Sequence, residues 1–451
     1  MYNELVYKIS KPNWYVLYVM FLVVPISLAA PVGISDQVIY TGEQCAALPA
    51  PSGDVVNVAS LEELLSAVGN LSPNTTILIA DGIYHLHGAY LWIDTNDVTL
   101  RSASGNREAV ILDGDYETTE IITIAASNVT IADLTIRRAA THPVHVVSTD
   151  LGSADNALIY NLHIVDPRQQ AIKINPHEAR LYFTDDGMVA CSHIEMTDAG
   201  RTQVSGCYTG GVDAHEVRGW TIRDNLVEGF WCELGLSEHA IHMWRGSRDT
   251  LVERNQLNNN ARGIGFGLDE NGVGRTYADN PCPSAEGGYV GHYGGIVRNN
   301  FVFVNRSELF TSEYGFDCGI CLWQACDARV LHNSVASTLA PFSSIEWRYD
   351  RSNIDIINNL VTHNLRDRGG TVRLSSNLEY QPLNVFVDGV NGDLHLSQTA
   401  TDAINMGDEN VADYCRDDFD RDLRPIDNGY DIGADEYGAN DLIFLPVVMS
   451  H

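Results

Sequence analysis

Along the middle of the chain, short apolar segments are each closed by a polar residue, usually asparagine, before the next apolar run begins. ALIYNLHI, VACSHIEM, TIRDNLVE, LVERNQLN, IVRNNFVF, RVLHNSVA and IINNLV share this layout. Taking Asn161, His193, Asn225, Asn255, Asn300, Asn333 and Asn359 as equivalent gives spacings of 32, 32, 30, 45, 33 and 26. Asp133 in TIADLTI extends the series backwards by 28. Such a period marks a solenoid, in which each unit buries its apolar face only against its neighbours.

Each unit also carries a strand-like quartet: VHVV at 144, IKIN at 172, VDAH at 212, IHMW at 241, IGFG at 264, ICLW at 320, IEWR at 345 and VRLS at 372. Alternation points the first and third residues inward and the second and fourth outward. The inward set is Val, Ile, Met, Phe, Leu and Trp, with Ala214 the smallest. The pattern predicts an all-β chain, a single-stranded parallel β-helix over 54–400 with Ile172, Ile241 and Ile345 in one core row. About ten or more stacked turns are expected. Asparagine tolerates the left-handed conformation and bonds local backbone, so a stacked Asn column would close successive turns. SLEELLSAV at 60–68 pairs a Ser N-cap with Glu63 three residues on, predicting a short helix that covers the N-terminal end of the coil.

The ends of the chain read differently. Residues 1–29 have the layout of a secretory signal: Lys8 and Lys11, the apolar run WYVLYVMFLVV, then SLAA with Ser27 and Ala29 suited to a cut after Ala29. The run is shorter than the roughly 18 residues of a membrane span, as is LIFLPVVM at 442–449, so no stable transmembrane insertion is expected. The tail at 439–451 reads as a sorting tail or as a last strand. The mature chain is expected outside the cell or at its surface, as a monomer. Nine cysteines suit that compartment, and four bridges at most can form. Cys318 and Cys321 make a C-x-x-C, but no second C-x-x-C completes a zinc site and no thioredoxin-like pattern surrounds it. Formal charge is −31, or −32 once Lys8, Lys11 and Glu4 leave with residues 1–29. Nucleic acid is therefore excluded as a partner, since phosphate binding needs clustered Lys and Arg.

The repeat resembles that of the pectin-lyase-like, right-handed parallel β-helix superfamily. ILIADGIYHL, NDVTLRSASGN and AVILDG at 77–114 resemble the opening turns of the chondroitinase B and alginate lyase family. RPIDNGYDIGADEY at 424–437 is similar to the end segment of choice-of-anchor β-helix proteins, which sets 401–438 apart as a C-terminal cap. The resemblance implies right-handed coiling and an extracellular polysaccharide as partner. It also implies β-elimination, in which a base removes the proton beside a uronate carboxylate while cations neutralise that carboxylate.

Candidate chemistry follows from the outward positions. Their second places stack His145, Lys173, Asp213, His242, Gly265, Cys321, Glu346 and Arg373, and their fourth places Val147, Asn175, His215, Trp244, Gly267, Trp323, Arg348 and Ser375. Lys173 is the only lysine besides Lys8 and Lys11. A lysine can lose its proton and act as a base where an arginine cannot. Lys173 is thus the expected base, with Arg245 or Arg348 as neutraliser and His215 and His242 as further acid or base candidates. Asp213 beside it should raise the lysine pKa, an effect that calcium on Asp213 would reverse. Gly265 and Gly267, flanked by Trp244 and Trp323, read as a gap where sugar rings stack, with Asn175, Glu346 and Arg348 along its walls. A hydrolase would need two carboxylic groups astride the glycosidic bond. Asp213 and Glu346 lie four strands apart, roughly 19 Å, so hydrolysis ranks second, beside a non-catalytic carbohydrate-binding solenoid. Asp418, Asp420 and Asp422 alternate in DDFDRD, a spacing that can offer oxygens to one calcium, though without the glycine and distal glutamate of an EF-hand.

Overall fold

The computed structural model describes residues 45–438 apart from 205, 284–287 and 312–314. The signal-like stretch 1–29 and the tail 439–451 lie outside the described residues. Within that span the chain winds into three parallel sheets, one of fourteen strands and two of ten. Parallel strand-to-strand crossovers take the right-handed sense, and the coil is a right-handed parallel β-helix. Each ten-stranded sheet takes one strand per turn, which gives the ten turns the repeat predicts.

The inward row is continuous: Ile172 pairs with Val212, then Ile241, Ile264, Ile320 and Ile345 in turn. All six are fully buried, each contributing about 2–3 kcal/mol by leaving water. The row ends at Leu365 of the Leu365–Arg368 strand, not at Val372. Thr371–Ser375 instead pairs with Asn353–Ile357 in the fourteen-stranded sheet, so Arg373 leaves the outward column and Arg366 takes its place. The turn there is short, 18 residues between Asn359 and Asn377, so the quartet period passes over one strand. Parallel strands stop at Ser375 rather than near 400, because Phe386–Asp388 and Asp393–Leu396 form an antiparallel pair.

The asparagine column is real, with a corrected register. Asn225, Asn255, Asn300, Asn333 and Asn359 each pass a side-chain amide N–H to the Oδ1 of the next, ending at Asn377, at 2.9, 3.0, 2.9, 3.0 and 2.9 Å. Asn161 and Asp133 stand one place earlier, level with Asp224, and Ser192 rather than His193 is level with Asn225. The left-handed residue is not the ladder Asn but the one before it: Asp224 (φ 56°), Arg254 (49°), Asn299 (52°), His332 (50°) and Asn358 (58°). Two adjacent positions thus divide the work, one bending the chain and one tying turns together.

The helix Leu61–Val68 forms as expected, with Glu63 N–H donating to Ser60 Oγ at 3.2 Å. Its carboxylate reaches back to the Ala59 amide at 2.7 Å. Four disulfides join Cys45 to Cys191, Cys207 to Cys232, Cys282 to Cys326 and Cys318 to Cys321, leaving Cys415 buried and unbridged. Residues 401–438 lie along the side of the coil, packing Phe419, Ile432 and Ala434 onto Phe301, Ala336 and Leu360.

Candidate functional site

The outward column of one ten-stranded sheet carries a continuous polar network. Register places Lys173 between His145 and Asp213, and Asp213 beside His242. Lys173 Nζ donates to Asp213 Oδ2 and stands 3.0 Å from His215 Nε2 and 3.4 Å from the Tyr208 hydroxyl. Asp213 Oδ1 accepts from Trp244 Nε1 at 2.8 Å, and His215 Nε2 lies 3.3 Å from Asp213 Oδ2. Asn175 Nδ2 lies 3.3 Å from His215 Nδ1 and its oxygen 3.0 Å from His145 Nε2, whose other nitrogen meets Glu120 at 3.0 Å. Glu120, His145, Asn175, His215, Lys173, Asp213 and Trp244 are therefore one chain of contacts across successive turns.

Most of this network is covered. Lys173 and His215 are 7% exposed and Asp213 2%, whereas Tyr208 beside them is 41% exposed. Burial works against the lysine charge, but the Asp213 carboxylate outweighs it and holds Lys173 above its ordinary pKa. Burial would raise Asp213, yet Lys173 and His215 override it and keep that carboxyl well below the usual range. For His215 burial wins, lowering the imidazole despite Asp213. The lysine is thus set as a cation and the neighbouring histidine as a neutral imidazole.

Other sequence-predicted residues fall elsewhere. Gly265 does not open a gap: a side chain there would meet the His239 ring at 2.6 Å, so the space is filled by that imidazole. Gly267 (φ +76°) is required because a Cβ would sit 1.7 Å from the Trp323 carbonyl oxygen. Trp323 is 2% exposed, giving its N–H to Glu346 at 2.6 Å, and Glu346 is closed off further by Arg368 at 2.9 Å. Neither lines an open groove. Arg348 rests over Tyr349, 4.5 Å from its ring centre. Arg245 turns off the strand in the left-handed conformation (φ 62°), with Nε 3.4 Å from the Val273 carbonyl. Of the two tryptophans, Trp244, half-buried and stacked 5.2 Å from the His242 ring, keeps an aromatic edge near the network.

The calcium expectations do not fit these donors. Both Asp213 oxygens are engaged by protein donors. Asp418 spends its two oxygens on the Asp422 and Glu436 amides, at 2.8 and 3.1 Å, and burial pushes its pKa up to about 7. Asp420 groups with Asp435 and His395 rather than with Asp418 and Asp422. Burial opposes a charge on His395, but Asp393 and Asp420 override it and hold the imidazole well above its ordinary pKa, a cation where calcium would need an oxygen.

Tyr208 and Glu120 escaped the sequence reading because they lie off the quartets, in connecting segments. Glu238, His239 and His242, in contrast, stand together in the string EHAIH, directly before and within a quartet.

The fold and this face together define a parallel β-helix with a polar network along one sheet. No family model matches the chain, and no curated protein matches it. Among solved structures, a pectate lyase is 14% identical, with 85% of this chain and 96% of that chain covered and a TM-score of 0.49. An alginate lyase from Paenibacillus sp. str. FPU-7 is 13% identical, covering 71% and 99%, at 0.47. The tailspike protein of E. coli bacteriophage HK620, in complex with a pentasaccharide, is 11% identical, covering 75% and 61%, at 0.47. At these identities the likeness is one of coil.

Proposed function

We propose that the chain is an extracellular, carbohydrate-active β-helix protein that cleaves a uronate-containing polysaccharide by β-elimination at the Lys173 network. The observation that carries this reading is the pair Lys173 and His215, 3.0 Å apart with pKa values displaced in opposite directions. Titratable neighbours pushed apart in this way define a base and a cation. With its ring proton on Nε2, directed at Asp213 Oδ2 3.3 Å away, His215 takes the proton beside the uronate carboxylate through Nδ1, in place of its long contact with Asn175. Lys173 faces the carboxylate and offsets its charge. The electron pair of the broken C–H bond forms the new C=C bond as the glycosidic C–O bond breaks, and the departing oxygen takes a proton from the exposed Tyr208 hydroxyl. Trp244 offers the ring against which a sugar stacks.

A hydrolase is disfavoured by charge. Asp213 is held below its ordinary pKa by Lys173 and His215 despite burial, so it is not the protonated acid that hydrolysis needs. A non-catalytic binding solenoid is the second reading, favoured by the near-complete burial of Lys173, Asp213 and His215.

The deciding experiment incubates the protein with pectate, alginate, chondroitin and neutral glycans and follows the ultraviolet absorbance of unsaturated uronate ends. Absorbance growth on one acidic polysaccharide is expected. New reducing ends without unsaturation would make it a hydrolase, and glycan binding without either product would make it a binding module.

A further inference from the structure

We propose that Glu238, His239 and His242 form a binding site for a divalent transition metal of the zinc class, beside the polysaccharide face. One ligand atom from each of the three lies within 4.8 Å of the others. Four buried atoms in this small space have no hydrogen-bond partner among the described residues: Glu238 Oε2, both ring nitrogens of His239, and His242 Nδ1. His239 and His242 are both 0% exposed. Orphaned polar atoms at such depth cost about 1–3 kcal/mol each, so their convergence calls for an occupant.

The details favour a metal. His242 Nε2 lies 3.0 Å from the Gly267 carbonyl oxygen, to which it can only donate, and this leaves Nδ1 as the lone-pair nitrogen, 3.6 Å from Glu238 Oε2 and from Asp213 Oδ1, the latter already held by Trp244. Fixing the tautomer of a ligating imidazole through its far nitrogen is the usual second contact of a metal site. His242 Nδ1 and Glu238 Oε2 are 3.6 Å apart, against about 3.4 Å for two tetrahedral zinc ligands at zinc's bond lengths. Two imidazoles and one carboxylate suit zinc-like ions and not calcium, which takes oxygen, and such a three-ligand set keeps a fourth position open. Gly265 is part of the construction, since any side chain there would displace the His239 ring. Cys318 and Cys321 also approach His239, but they are bonded to each other and are not needed as ligands.

The test uses the full chain without a histidine tag, stripped with chelator and titrated with Co²⁺, whose visible absorption reports tetrahedral coordination, and then with Zn²⁺ to displace it. About one equivalent is expected per chain. The band should vanish in Glu238→Gln, which preserves shape, and in His239→Ala. It should persist in His193→Ala, which removes a ligand from the separate His163, His193 and Glu195 group. If the folded parent takes up neither ion, or if Glu238→Gln binds as the parent does, the site holds water and the proposal falls. Should His239→Ala fail to fold, Glu238→Gln alone decides.

Discussion

A lone lysine in the middle of a strand invites a catalytic reading, and its neighbours redirect it. Lys173 lies against a carboxylate that strengthens its charge, so the base assignment passes to His215. On the substrate that the parent cleaves, His215→Gln should lower turnover by about 10²- to 10⁴-fold, as loss of a general base does. Lys173→Arg keeps the cation and should retain most of the turnover, with the larger change in KM. The reverse pattern would return the base to Lys173. Titration offers a second residue-scale check at His163, which Glu108 and Glu195 clasp at 3.0 and 2.9 Å. Burial works against its charge, but the two carboxylates raise its pKa from 6.5 to about 9. A raised folded value stabilises fully below about pH 6.5 and is lost as pH rises through about 9. Its partner Glu108, lowered to about 2 chiefly by His163, contributes above about 4.5 and is lost on acidification. The stability gap between the parent and His163→Gln in urea unfolding should therefore be widest between about pH 5 and 6 and close by about pH 10. A gap that widens in alkali would overturn this. At this scale the sequence named Lys173, Asp213, His215 and Asn175 correctly as neighbours, because period-two alternation and stacking are local rules. It could not tell that Gly265 is filled, since the filling ring comes from His239 outside the quartet.

Strands and turns were legible where the repeat is regular. Ile172, Ile241 and Ile345 share their row as alternation requires. The repeat misleads at the short turn before Asn377, where the spacing changes, and at Asn161 and His193, where a second polar residue adjoins the ladder position. Adjacent polar residues with different tasks look alike in a sequence, and only hydrogen bonding separates them. The ladder is also where an element should be most sensitive. Asn300 accepts from the Asn255 amide and side chain at 3.0 Å each, and gives hydrogen bonds to Val252 O, Arg298 O and Asn333 Oδ1 at 3.0, 2.9 and 2.9 Å. Asn300→Ala removes both roles in a fully buried position and should cost about 2–4 kcal/mol. Asn300→Asp keeps the acceptor, loses the donor and adds a buried charge, so it should be no milder. Asn377 ends the column and is half-buried, and its alanine variant should cost about half as much or less. Equal losses at Asn300 and Asn377 in denaturant melts would argue against a column whose interior carries the load.

At the scale of the molecule, a stack of turns is held mainly by nearest neighbours, so ties that span many turns matter more than their number suggests. Among the described residues, two sets of such ties run along the edge where the left-handed turn residues line up. From the N-terminal side, Cys45 bonds to Cys191, the Ala46 carbonyl accepts from the Tyr160 hydroxyl at 2.6 Å, and the Pro49 carbonyl accepts from Arg101 at 3.0 Å. From the C-terminal side, Asp408 meets Asn358, Asp417 meets Asn299 and Arg254, and Arg421 meets Asp224. The segment 401–438, set apart in the sequence as a terminal cap, is thus a strap laid backwards over the coil. Its path was hidden because residues such as Arg254 and Asp417 are 163 positions apart and no periodicity links them. Arg254 is 5% exposed, so Asp417→Ala strips one carboxylate from a buried guanidinium that retains Asp224 and Glu253. Loss of one partner of a buried ion pair costs about 3–5 kcal/mol when nothing else remains, and the two remaining carboxylates should reduce that to about 1–2 kcal/mol. In hydrogen exchange, Asp417→Ala should speed exchange across 401–438 and at the Asn299 and Asn358 turns while leaving the strands between 110 and 175 as protected as in the parent. Uniform acceleration along the whole coil would show instead that the strap and the turns unfold as one cooperative unit.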